Sequence, residues 1–101
     1  PSSRTELACP HCGNQWLHHD RVTVFFRKED AAHGLVVNVE PDRATTDTDG
    51  IQEGNPSARR DGVSIHMWCE SCEGKSEYNI VQHKGSTYVF MTKEEPDSDS
   101  P

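Results

Sequence analysis

Two Cys-x-x-Cys units, Cys9-Pro10-His11-Cys12 and Cys69-Glu70-Ser71-Cys72, constrain this chain more than any other feature of its sequence. Two residues between thiolates let the backbone turn tightly about one ion, so that both sulfurs reach it at ~2.3 Å. Backbone N–H groups inside such a turn point at the sulfurs and stabilise their charge. Gly13 and Gly74 follow closely on each second cysteine, where a chain leaving the turn often needs positive φ. Cys9, Cys12, Cys69 and Cys72 together predict one closed tetrahedral site. It is structural rather than catalytic, because four thiolates leave no open ligand position. The expected occupant is a single zinc ion. The same ligands also suit iron in a rubredoxin-like electron carrier, and free thiols or a redox pair are the other readings of the motif.

A staple of this kind answers a need. The chain has 101 residues, room for one domain, and only 32% of them are hydrophobic. So small a domain buries a limited share of its surface and often requires a metal or disulfides to fold. The first residues, Pro1-Ser2-Ser3-Arg4-Thr5-Glu6, carry no apolar run of the kind an export signal has. The longest apolar stretches, at residues 22–26 and 35–39, are too short to span a bilayer. The expectation is therefore a cytoplasmic protein with reduced cysteines, which favours metal binding over disulfides.

Between and after the two units the chain reads as strands. Residues 21–27 and 35–40 are rich in Val and Phe and predict a hairpin, with Gly34 a turn candidate. Residues 63–69 alternate, with Val63, Ile65 and Met67 on one face and Ser64, His66 and Trp68 on the other. Residues 77–83 and 86–92 flank Lys84-Gly85, a second hairpin tip. No segment holds a helical period. The expectation is a mainly β domain over residues 6–92 with about five short antiparallel strands. Residues 41–60, rich in Thr, Asp, Gly, Asn, Ser and Pro, read as a long flexible acidic loop inserted in it. Residues 1–5 and 93–101 read as disordered tails.

CPHCG followed at a distance by CESCEGK, with strands running into and out of the second unit, resembles the zinc-ribbon group. WCESC at residues 68–72 followed by EYNIVQHKGSTYVF at residues 77–90 is similar to small uncharacterised zinc-ribbon proteins of bacteria and their phages. The resemblance covers residues 7–17 and 63–92. It implies a zinc-ribbon fold and a place among polymerase subunits, transcription factors, ribosomal proteins and adaptors. The chain departs from the usual ribbon in the 56 residues that separate Cys12 from Cys69.

The charge bears on the partner. A net charge of -7 has the wrong sign for gripping phosphates along a nucleic acid. Residues 40–61 hold six acids against three arginines, which suits steering toward a basic protein surface. The aromatics Trp68, Tyr88 and Phe90 and the hairpin-tip pair His83 and Lys84 are the candidate partner-binding residues. Residues 86–92 are apolar on both faces, so one face is expected to pack on the knuckles and the other under the inserted hairpin. An exposed platform that stacks bases or accepts a protein is the alternative. No catalytic constellation and no small-molecule site is evident. The sequence thus reads as a non-catalytic, protein-binding adaptor or regulator in a nucleic-acid setting. Direct DNA or RNA binding is the alternative, with Arg21, Arg27, Arg59, Arg60, Lys75 and Lys84 on phosphates.

Overall fold

The computed structural model describes residues 6–94, and the strand-forming Val, Thr and aromatic runs within them all join one sheet. Six strands follow in chain order: β1 (Leu17–Phe26), β2 (His33–Glu40), β3 (Arg43–Ile51), β4 (Gly62–Cys69), β5 (Lys75–His83) and β6 (Ser86–Lys93). Every neighbouring pair is antiparallel, and the order across the sheet is β3-β2-β1-β4-β5-β6. The described residues contain no helix, and so none long and apolar enough to cross a membrane. The expected β class and antiparallel pairing are as found.

The expected loop at residues 41–60 needs correction. Its first half is β3, an edge strand paired with β2 from His33↔Ile51 to Glu40↔Arg43. Residues 43–49 are exposed on both faces, so no apolar alternation marks them. Thr45, Thr46 and Thr48 supply the β preference instead, and Asp47 and Asp49 blunt an otherwise open edge. The second half is ordered too. Residues 52–61 fold back on the sheet, and Phe25, Gln52 and Ser57 are buried. Arg27 holds this segment: its guanidinium donates to the carbonyls of Ser57 (2.9 Å), Ala31 (3.1 Å) and Arg60 (3.3 Å). Its backbone N–H donates to the Asp61 carboxylate at 3.0 Å. Asn55 bonds Gln52 and the Arg60 carbonyl, and Ser57 Oγ donates to the Gln82 carbonyl. Outside this network Arg59 pairs with Asp30 and Glu29, and Arg60 with Glu29. The hydrogen-bonded Arg59 guanidinium holds the Asp30 carboxyl below the usual carboxylate range.

Register decides what each face carries, because residues directly opposite each other in paired strands share a face. Two rungs run across the sheet on one side: Thr46-Val37-Val24-Val63-Ile80-Val89, and Ala44-Val39-Val22-Ile65-Tyr78-Met91. Between them on the other side lies Thr45-Asn38-Thr23-Ser64-Asn79-Phe90. The polar rung is tied by Thr23–Asn38 and Asn79–Thr92 hydrogen bonds. Residues 52–61 cover one end of the polar side, against Phe25 and Gly62.

The tails divide at the limits of the described residues. Lys93 belongs to β6, against expectation, and the Glu94 N–H donates to the Lys75 carbonyl. The disorder expected at residues 1–5 and 95–101 lies outside the described residues.

Candidate metal centre

The topology explains how cysteines so far apart in sequence meet. β1 leaves the first knuckle and β4 returns antiparallel beside it, with Leu17 opposite Cys69. The excursion through β2, β3 and residues 52–61 therefore begins and ends at the same end of the β1–β4 pair, away from the cysteines. The Glu70 N–H donates to the Trp16 carbonyl and ties the two knuckles directly.

The four ligand sulfurs lie within 4.8 Å of one another. Cys9 Sγ stands 3.7 Å from Cys72 Sγ, and Cys12 Sγ stands 3.7 Å from Cys69 Sγ. A tetrahedron with metal–sulfur bonds of ~2.3 Å has sulfur–sulfur edges of ~3.8 Å. The donor set thus fits one four-coordinate ion, and S4 coordination of this shape suits zinc or iron. Backbone N–H groups donate to three of the sulfurs: His11 to Cys9 (3.3 Å), Ser71 to Cys69 (3.4 Å) and Gly74 to Cys72 (3.3 Å). Burial pushes the Cys9 thiol up, but the N–H groups of Cys12 and His11 and the neighbouring thiols outweigh it and leave it at about 6. The Gly74 N–H pulls the Cys72 thiol down, while burial and the other three cysteines push it up to about 12. In the metal-free protein one thiol therefore gives up its proton readily and another holds it strongly. A divalent cation would ease that conflict by stabilising all four as thiolates.

The two knuckles share a backbone path but not its chemistry. In the first, the Gly13 N–H donates to the Cys9 carbonyl and the Cys9 N–H to the Asn14 carbonyl. In the second, Glu73 donates to Cys69 and Cys69 to Gly74 in the same pattern. The residue with positive φ is Gly13 (82°) in one and Glu73 (62°) in the other. Gly74, expected to supply that φ, serves a different purpose. A Cβ there would stand 2.6 Å from His11 Cδ2 and 3.1 Å from Cys72 Sγ. Its absence lets the His11 ring lie across the second knuckle, where Nε2 donates to the Lys75 carbonyl at 2.7 Å. His11 reads in sequence as an outward, uninvolved side chain. In the structure it clasps the knuckles together, and only the fold could reveal a partner 64 residues away.

The candidate binding residues do not converge. Trp68 lies beside the metal end, stacked on His18 with ring centroids 4.5 Å apart, and His18 in turn pairs with Glu70. His83, Lys84, Tyr88 and Phe90 belong to the β5–β6 hairpin. Lys84 and Gly85 form its tip with positive φ, and His83 tilts against Tyr88. Tyr88 (54%) and Phe90 (42%) are exposed. This corrects the expectation that β6 packs under the inserted hairpin, because β2 and β3 occupy the opposite edge of the sheet. Tyr88 and Phe90 share the polar side of the sheet with Trp68, as strand alternation and pairing require. No protein-family model, curated protein or solved structure matches this chain.

Proposed function

We propose that the chain is a non-catalytic zinc-ribbon module in which one zinc ion organises a sheet that docks on another protein. The observation that carries the metal half of this reading is the near-tetrahedral cluster of four sulfurs, saturated by the protein's own thiolates. Zinc in such a site supplies folding energy, on the order of 10–16 kcal/mol apparent. The zinc-ribbon assignment rests on the two knuckles and the strands that follow them. The cytoplasmic setting rests on the preference of zinc thiolates for a reducing compartment.

Exposed Trp68, Tyr88 and Phe90 on one side of the sheet support a docking role, since aromatics anchor protein interfaces. The net charge of -7 favours a partner with a basic surface. Nucleic acid is the weaker reading for a specific reason. Of six bases available for phosphates, Arg27 is spent on carbonyls and Arg59 and Arg60 on Glu29 and Asp30.

Two measurements test the reading. Native mass spectrometry should find one zinc per chain, and a coloured iron form would transfer the site to electron transport. Affinity capture with the zinc-loaded protein should retain a protein after nuclease treatment and lose it when Tyr88 and Phe90 are both replaced by alanine. Capture that nuclease abolishes, with oligonucleotide-induced NMR shifts at Trp68 and Lys84, would reject protein docking in favour of nucleic acid.

A further inference from the structure

Among the described residues, no element forms a second layer on the side of the sheet opposite Trp68, Tyr88 and Phe90. The two rungs of that side cross the five strands from β2 to β6 with Val, Ile, Tyr and Met alone, and Thr46 and Ala44 continue them onto β3. Not one of these side chains is buried, and Val39 (42%) and Val89 (54%) are among the most exposed apolar residues of the described chain. A sheet that is apolar on one face requires another element against it. Residues 52–61 cannot provide that element, since they cover the polar side. Residues 1–5 and 95–101 hold only Pro, Ser, Arg, Thr, Glu and Asp, and bring no apolar side chain to the task.

We propose that this face is closed by the same face of a second copy of the chain, giving a two-sheet sandwich. Three observations select this occupant. The first is area. Six strands ~4.8 Å apart and about eight residues long at ~3.4 Å give a face of roughly 25 × 27 Å, or about 650 Å² on each copy, with the two rungs as its middle and the rows of Phe26 and Leu35 and of His19, Met67 and Lys93 as its rim. Two such faces together remove about 1,300 Å², within the range of about 1,200–2,000 Å² typical of specific interfaces. The second is charge. The chain carries -7, so two copies repel through most surfaces, but neither rung holds a charged side chain. This face is where like copies approach without setting carboxylate against carboxylate. The third is symmetry. A two-fold contact needs a surface complementary to itself. Here β1 and β4 lie at the centre of the sheet with two strands beyond each, so a two-fold axis along their boundary sets β1 over β4 and β2 over β5. Val22, Val24, Val63 and Ile65 then form the middle of the sandwich, with the sheets ~10 Å apart. The aromatic side of each copy stays outward, so the dimer presents two copies of the surface assigned above to a protein partner.

Sedimentation equilibrium on the full zinc-loaded chain tests the proposal. The expected species is twice the 11.3 kDa chain mass at micromolar concentrations. Val63→Lys puts an unpaired ammonium at the centre of the contact from each copy and should weaken association by about 100-fold or more. Thr23→Lys, on the opposite side of the adjacent strand, should leave the dimer intact. Val89→Lys, at an exposed edge-strand position, keeps the test valid if Val63→Lys fails to fold. A chain of 11.3 kDa at every concentration overturns the proposal and gives the face to a different protein or a lipid surface. So does a dimer that withstands both valine replacements and dissociates with Thr23→Lys.

Discussion

The two ends of the β1–β4 pair are closed in opposite ways. At one end, two knuckles bring four cysteines within 4.8 Å, an arrangement suited to a single metal ion. At the other, residues 52–61 are fastened by Arg27, Asn55 and Ser57, with no metal and little apolar area beyond Phe25. The metal end concentrates its stability in one multivalent contact, while the far end distributes it over many hydrogen bonds of ordinary strength. Each is a solution to the same deficit. Only Cys9, Phe25, Met67 and Cys69 among the described hydrophobic residues are buried, so packing alone supplies little.

That contrast sets the order of effects. Cys69→Ser breaks the closed ligand set and should unfold the domain, since structural zinc contributes on the order of 10 kcal/mol or more. Collapse of the NMR amide dispersion reports it, and a dispersed spectrum in the variant would refute it. The same end is the acid-sensitive one. Metal binding holds all four thiols as thiolates, whereas in the metal-free protein the Cys72 thiol is pushed up to about 12. Metal binding thus depresses the folded-state thiol pKa values, so its stabilisation is present at high pH and is lost as pH falls. Zinc-release midpoints should rise with pH.

Arg27→Ala should cost about 3 kcal/mol, because three half-buried carbonyl contacts to a charged donor disappear together. The loss should appear in urea unfolding while bound zinc is retained at equilibrium, which separates the two ends. Co-loss of zinc under native conditions would show that they are not independent. Gly74→Ala forces the His11 ring off the second knuckle and should cost about 1–3 kcal/mol, with faster zinc transfer to a chelator. Glu73→Gly is the one change expected to stabilise. It relieves a non-glycine residue at φ 62° and should yield about 0.5–1 kcal/mol in thermal unfolding.

Sequence made the metal end more legible than the far end. Cysteine spacing encodes the ligand set directly, and alternation at residues 63–69 located β4. β3 escaped because alternation records burial on one face, and residues 43–49 have neither face buried. The Arg27 network escaped because its acceptors are backbone carbonyls of Ala31, Ser57 and Arg60, which carry no sequence signature. His11 and Gly74 escaped because their contact depends on how the knuckles face each other. Two apolar rungs on one side of the sheet emerge only when strand order and register are known. Alternation separates neighbouring Tyr88 and Val89, but both are exposed, and only pairing shows which residues of the other strands share each one's face.

X-ray absorption at the metal edge of the purified protein tests the central claim most directly. The account predicts a zinc edge with a single shell of four sulfurs at ~2.3 Å. An iron edge, or a zinc shell containing nitrogen or oxygen in place of one of the four sulfurs, would contradict it.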